Sequence, residues 1–202
     1  MAEPNDAFGG LLAAGRSGGR RGGAPIRISP IAGLACAQVQ AWAGKQADLA
    51  EALARIGVQL PDGQSFKETR GRLCGRIAPG RHLVLSETTV ADVQAAVPGT
   101  VGAVADLSHA RAGLRIAGAS VEALMAKAAA IDFRAAAFPP GHLAQTAIHH
   151  MGCLVLRRAD DTFDLFVPTS FAVAFADWLT DTAREFGWQA AAPVGLRLAV
   201  DA

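Results

Sequence analysis

His149, His150 and Cys153 place two imidazoles and a thiol within five residues, the donor types that bind zinc. On a continuous strand, however, neighbouring histidines point to opposite faces, so the pair cannot chelate one ion together. A bend at Met151-Gly152 would bring His150 toward Cys153, but no fourth ligand is evident. The expected roles are a structural thiol and surface or interface histidines. Gly15-Arg16-Ser17-Gly18-Gly19 matches the Gly-x-Ser-x-Gly pattern of a nucleophile elbow. That motif needs a buried strand before the serine and a helix after it. Here it lies inside a Gly/Arg tract, so a hydrolase site is not expected. Asp106, Asp132 and Asp164 are too far apart in sequence to declare a carboxylate pair. Asp106, directly before Leu107-Ser108, is expected to bond nearby backbone at a strand junction.

His109, Arg111 and Arg115 alternate along one face of an extended segment. That face is either a solvated sheet surface or one that receives an acidic partner. With Arg16, Arg20 and Arg21 they make up the candidate partner interface. Arginine suits that role because its planar guanidinium forms bidentate pairs with carboxylates. No glycine-rich phosphate loop follows a strand, and no residue is assigned as catalytic, cofactor-binding or metal-ligating.

These residues need elements to position them. Residues 1–30 hold Arg16, Arg20, Arg21 and Arg27 against Glu3 and Asp6, and are rich in glycine and alanine. Such a segment cannot bury enough apolar area to offset its ordering entropy, so it is expected to be a flexible arm ordered only by a partner. Residues 31–202 are expected to form one domain of two α+β halves, about 31–100 and 101–202. A strand over Leu34–Trp42 precedes a helix carrying Leu49, Leu53 and Ile56, stopped by Gly57 and Pro61. Leu73–Ile77 and His82–Ser86 flank Pro79-Gly80 as a hairpin. Thr89 and Asp92 match a capping box for the next helix, ended by Pro98-Gly99.

Val101–Asp106 is strand-like, and Ala110, Ala112, Leu114 and Ile116 alternate with polar residues as a half-buried strand. Ser120 is expected to cap a helix that buries Val121, Leu124, Met125 and Ala128. His142–His149 and Cys153–Arg158 read as strands, and Asp160-Asp161 as a hairpin turn before another strand carrying Phe163, Leu165 and Val167. A helix over about Ser170–Phe186 places Phe171, Phe175, Trp178, Leu179, Thr182 and Phe186 on one stripe, expected to be core. The fold class is α+β, with amphipathic helices packed on largely antiparallel sheets.

The 202-residue chain is 51% hydrophobic, enough to bury a core, and its net charge of +1 points to neither nucleic acid nor an anionic membrane. Three widely spaced cysteines fit a reduced cytoplasmic protein better than a disulfide framework. No secretion signal is read at the N-terminus. Ala135–Leu156 lacks charged residues but is broken by Pro139, Pro140 and Gly141, so it is not a membrane span.

Three segments in fixed order carry a family resemblance: Asp106-Leu107-Ser108 running to Ile131-Asp132-Phe133; Phe138-Pro139-Pro140-Gly141-His142 with Gln145-Thr146; and Val167-Pro168-Thr169-Ser170-Phe171-Ala172. In order and spacing they resemble the γ subunit of heterotetrameric sarcosine oxidase. The match is best over Val101–Trp188, weaker over Leu34–Ser86, and absent from the arginine-rich arm. Asp106–Asp132 is also similar to part of the folate-binding aminomethyltransferases, the T-protein of glycine cleavage.

The resemblance implies a reduced aminomethyltransferase-like fold. It also implies a non-catalytic subunit that stabilises a cytoplasmic complex with α, β and δ subunits. Such complexes demethylate sarcosine to glycine, pass the one-carbon unit to tetrahydrofolate or release formaldehyde, and produce hydrogen peroxide. FAD, FMN, NAD, zinc and tetrahydrofolate would all belong to other subunits. Thr169 stands where the family often has arginine, which leaves room for a sister complex acting on another N-methylated amino acid. A free-standing folate-binding or aminomethyl-transfer protein is the alternative from another class. The absence of tyrosine and the few candidate carboxylates argue against a pterin pocket.

Overall fold

A computed structural model describes residues 7–19 and 24–197. They form two compact units that the chain enters more than once. The first unit takes the chain up to Ile31, Ala110–Pro140 and Gln145–Val194; the second takes Ala32–His109, Gly141–Ala144 and the chain from Gly195. The division therefore differs from a cut near residue 100. The strand at 102–106 pairs with the strand at 35–41, and the strand at 26–31 with the one at 111–117. Partner choice by long-range strand pairing, which periodicity does not encode, sets the boundary.

The first unit is built on a seven-stranded sheet in the order β1-β12-β2-β8-β11-β10-β9. Its strands are β1 (Ser17–Gly18), β2 (Ile26–Ile31), β8 (Arg111–Ala117), β9 (Leu143–Ile148), β10 (Met151–Ala159), β11 (Thr162–Pro168) and β12 (Trp188–Ala190). Pairing is antiparallel from β2 through β8 and β11 to β10, while β12 runs parallel to β2. The helices α3 (Val121–Ala128) and α4 (Ala172–Ala183) belong to this unit.

Part of the expected arm is core here. Ile26 and Ile28 are fully buried in β2, Phe8 and Leu12 are buried, and β1 pairs with β12. The Ile26/Ile28 alternation was masked by the Gly/Arg tract before it and by Pro30 within it. β8 is buried along both faces from Ala112 to Ala117 rather than half-exposed. Gly113 makes room for the Phe166 ring, which would lie 2.8 Å from a Cβ at that position.

Helix α4 follows a single 3-10 turn at Thr169–Phe171. Its buried stripe is Ala172, Phe175, Ala176, Leu179, Thr180 and Ala183. This is rotated from the expected one: Phe171 and Val173 are exposed, at 46% and 50%, and Trp178 is half-buried. Small residues Ala172, Ala176 and Ala183 let the helix approach its neighbours closely, a contact that a search for large apolar residues overlooks. In α3 the buried residues are Val121, Leu124, Met125 and Ala128, as the spacing predicts, but Ser120 makes no side-chain cap.

The second unit holds a five-stranded sheet in the order β4-β5-β6-β3-β7, antiparallel throughout. Its strands are β3 (Ala35–Ala41), β4 (Phe66–Thr69), β5 (Arg72–Ala78), β6 (Arg81–Ser86) and β7 (Gly102–Asp106), with helices α1 (Gln46–Arg55) and α2 (Ala91–Ala96). One face of β3 contributes Ala35, Ala37, Val39 and Ala41 to a core completed by Leu49, Leu53, Val58, Cys74, Val84, Val90, Val93 and Val97. Helix α1 ends in a Schellman motif: the amide of Val58 donates to Leu53 O (3.0 Å) and that of Gly57 to Ala54 O (2.9 Å). Gly57 supplies the left-handed φ of 78° that this motif needs. The capping box at Thr89 forms only in part. The Ala91 amide donates to Thr89 Oγ1 (3.1 Å), but Asp92 pairs with Arg72 (2.5 Å) instead of reaching back.

Candidate functional site: buried charge and candidate interaction surfaces

Arg115, Asp164 and Arg158 come from three adjacent strands, β8, β11 and β10, and meet on one face of the first sheet. Arg115 and Asp164 are directly opposite in register. Arg115 donates to both carboxylate oxygens, from Nε (2.6 Å) and Nη2 (2.8 Å), and Arg158 Nη1 adds a third bond (2.9 Å). Asp164 is wholly buried, and the two arginines are 8% and 7% exposed. A buried carboxylate is tolerable only with this kind of pairing. Arg115 is thus a structural residue of the sheet interior, a correction to its place in the partner face. The sequence carried a signal for the cluster: Asp164 interrupts the apolar run Phe163–Val167, which strands of opposite charge would have to answer.

Arg157, on the opposite face of β10, supports the segment between α3 and β9. Its guanidinium donates to Phe133 O (2.6 Å), Phe138 O (3.0 Å) and Asp160 O (2.5 Å), and it pairs with Glu122 (3.0 Å). It also lies over the Phe163 ring, 5.1 Å from the centroid. Phe133, Phe138 and Phe163 form an aromatic cluster, with edge contacts at 5.3 and 5.8 Å from Phe133. Sequence reasoning assigned no role to Arg157, which ties the Asp132-Phe133 and Phe138-Pro139 motifs to the sheet.

The two exposed motif aspartates order backbone. Asp106 accepts from the amide (2.9 Å) and hydroxyl (2.6 Å) of Ser108, and the Ser108 oxygen accepts from the Cys36 amide (3.0 Å). The Ser108 hydroxyl and amide hold the Asp106 carboxyl below its usual range. Asp132 accepts from the Arg134 amide (3.0 Å) and pairs with its guanidinium (2.5 Å), which lowers its carboxyl pKa to about 2.

The remaining interface candidates are distributed as follows. Arg16 is exposed and its Nη1 donates to Gly10 O (3.4 Å), while Arg20 and Arg21 lie outside the described residues. His109 is exposed in the second unit, and Arg111 is half-buried at the start of β8 in the first.

His149 and His150 form a two-residue hairpin turn between β9 and β10 rather than continuing a strand, with φ of 46° and 67°. Positive φ at both central positions defines the tight turn that fits strand twist, where asparagine and glycine are usual. The His149 ring stacks on Trp178, 5.5 Å between centroids. Cys153 is buried inside β10, and burial pushes its thiol up to about 12. Among the described residues no group of three His, Cys, Asp or Glu could hold a metal ion. Ser17, in the nucleophile-like motif, sits exposed in the short strand β1, and among the described residues the next element after it is a strand, β2. No described helix is long and apolar enough to cross a membrane.

Two largely antiparallel sheets with packed helices define an α+β module. Its fold is similar to that of a chain in heterotetrameric sarcosine oxidase from Corynebacterium sp. U-96 in complex with pyrrole 2-carboxylate. The TM-score is 0.73 at 23% identity, over 84% of this chain and 88% of that one. It is also similar to the glycine cleavage system aminomethyltransferase T from Bartonella henselae, with a TM-score of 0.58 at 15% identity, over 82% of this chain. The match covers 48% of that protein, so this chain spans about half its length. No curated protein matches significantly. The sarcosine oxidase, gamma subunit family matches residues 77–185, more than half of the chain. The chain belongs to that family.

Proposed function

We propose that the chain acts as a non-catalytic γ subunit in a heterotetrameric sarcosine oxidase, assembling with α, β and δ subunits in the cytoplasm. The observation that carries this reading is the family match over 77–185 together with the shared fold over 84% of the chain. The complex would oxidise sarcosine to glycine with hydrogen peroxide as product, and pass the one-carbon unit to tetrahydrofolate or release formaldehyde. FAD, FMN, NAD, zinc and tetrahydrofolate would be held by the other subunits. The polar residues of the family motifs support this division of labour, since Asp106 and Asp132 brace backbone, and Arg157 ties two motif segments to the sheet.

Co-expression with the large flavoprotein subunits tests the proposal. The expected result is a co-purifying complex with sarcosine-dependent oxygen uptake, while the chain expressed alone purifies only in low yield and carries no flavin or zinc. A monodisperse chain that ignores those subunits, or that binds flavin or zinc stoichiometrically by itself, would overturn it. Replacing sarcosine by other N-methylated amino acids separates this complex from a sister enzyme. Folate binding by the isolated chain would favour the aminomethyl-transfer alternative.

A further inference from the structure

The second unit contains a cavity of about 370 Å³ that none of the family motifs reaches. Its lining includes Arg70, Arg72, Arg197, Glu87, Asp92 and the Ser86/Thr88 hydroxyl pair. Among the described residues, three guanidiniums against two carboxylates leave one positive charge. Two of the arginines are anchored. Arg72 is held by Asp92 (2.5 Å), and Arg197 is held by Glu87, which pairs with its Nε (3.5 Å) and accepts from its backbone amide (3.0 Å). Gly71 suits this turn because its φ of 77° is a conformation that side-chain-bearing residues rarely adopt, and the Arg197 guanidinium lies against it.

Arg70 differs from both. It occupies the first position of the Arg70-Gly71 hairpin turn between β4 and β5, with φ of 51°. Asparagine, aspartate or glycine takes that position at less strain. Among the described residues no carboxylate or carbonyl pairs with its guanidinium. Ser86 Oγ and Thr88 Oγ1 lie 3.3 Å apart, so one hydroxyl donates to the other and a single hydroxyl proton is left over for a ligand. Anchored arginines, one unpaired arginine and a spare hydroxyl are what an oxyanion requires. The charge count selects among oxyanions. A monoanion neutralises the cavity, whereas a phosphate dianion would face uncompensated repulsion from Glu87 and Asp92.

We propose that this cavity receives a single carboxylate, either that of a free carboxylic acid or that of an Asp or Glu side chain on a bound partner. Arg70 is its primary contact, and Arg72 and Arg197 complete the surround.

Phenylglyoxal labelling, followed residue by residue by mass spectrometry, tests this on the full chain and on the assembled complex, with exposed Arg184 as the internal reference. In the isolated chain, acetate is expected to slow Arg70 labelling about fivefold at about four times its dissociation constant, as simple occupancy requires. Inorganic phosphate at equal ionic strength should protect less. Protection by acetate identifies a free acid as a sufficient ligand and needs no partner, so it stands apart from the proposed function. Protection only in the complex, without added acetate, assigns the carboxylate to a partner. Labelling of Arg70 at the Arg184 rate in every condition would overturn the site. Stronger protection by phosphate would overturn its monoanion selectivity, and protection in the isolated chain without any added anion would assign the carboxylate to this chain and overturn an external ligand.

Discussion

The two units solve the same problem, burying a sheet, with opposite chemistry. The first places Asp164 between Arg115 and Arg158 at the centre of its sheet and threads Arg157 through the other face. The second fills its interior with Ala, Val, Leu and the thiols Cys36 and Cys74, and keeps pairs such as Arg72–Asp92 and Lys45–Asp48 outside it. A buried ion pair adds little net stability over an apolar core but is costly to break, so it penalises wrong strand registers heavily. A one-residue slip between β8 and β11 would strand Asp164 among apolar residues. In the second unit a slip is opposed by the apolar pattern, since it would turn Gln38 and Gln40 of β3 toward the core.

The sharpest way to break this comparison is Asp164→Asn. It removes the carboxylate that both buried guanidiniums share and is expected to cost about 3–5 kcal/mol, measured by urea denaturation. Replacing all three charged residues together by apolar ones of similar volume should recover most of that loss. If the single substitution is nearly silent, the cluster is not desolvated as described. Leu53→Ala is the counterpart in the second unit. Its cost of about 2–5 kcal/mol should come from lost transfer energy and a cavity, and be insensitive to salt and pH.

The third test asks where the units should agree. Cys74 in the second unit and Cys153 in the first are both pushed up to about 12 from 9.0, Cys74 chiefly by burial against a smaller opposing effect of Lys67. A raised thiol pKa means the folded state holds the proton more tightly. The resulting stability is complete below 9.0 and declines as the pH rises toward about 12. Denaturation midpoints across that window should fall, and Cys74→Ala or Cys153→Ala should each flatten the fall. Both thiols should also resist disulfide reagents until the chain unfolds.

The smallest effect separates the units again. His82, on β6, is 6% exposed, and burial, assisted by Arg76, holds its imidazole below 6.5. Because the unfolded chain binds that proton more readily, stability is full above 6.5 and falls as the pH drops through the folded value. Hydrogen exchange at mildly acid pH should therefore accelerate in β6 first. His82→Gln should remove that acid sensitivity, and exchange that accelerates equally in β8 would contradict it.

Periodicity made much of this legible. The α1 stripe of Leu49 and Leu53, its stop at Gly57, the Pro79-Gly80 hairpin and the inward face of α3 follow from local spacing alone, and so do the structural role of Asp106 and the family motifs. Misreadings arose where neighbours override pattern. Arg115 looked solvent-facing because alternation assumes one wet face, whereas both faces of β8 are buried and Arg115 pairs there with Asp164. The α4 stripe was rotated because alanines, not the larger Phe171 and Trp178, make the close approach. His149-His150 became a turn because β9 and β10 pair immediately on either side of it.

The sequence by itself determined most of the helices and strands and the family. Tertiary structure alone decided which arginines answer Asp164, which strands join which unit, and that Arg70, Arg72 and Arg197 share one cavity. Those outcomes depend on residues dozens to more than a hundred positions apart, as with Arg115 and Asp164 (49 apart) or Glu87 and Arg197 (110 apart). Local propensity carries no information at that range; burial and charge pairing supply it only after the chain has folded.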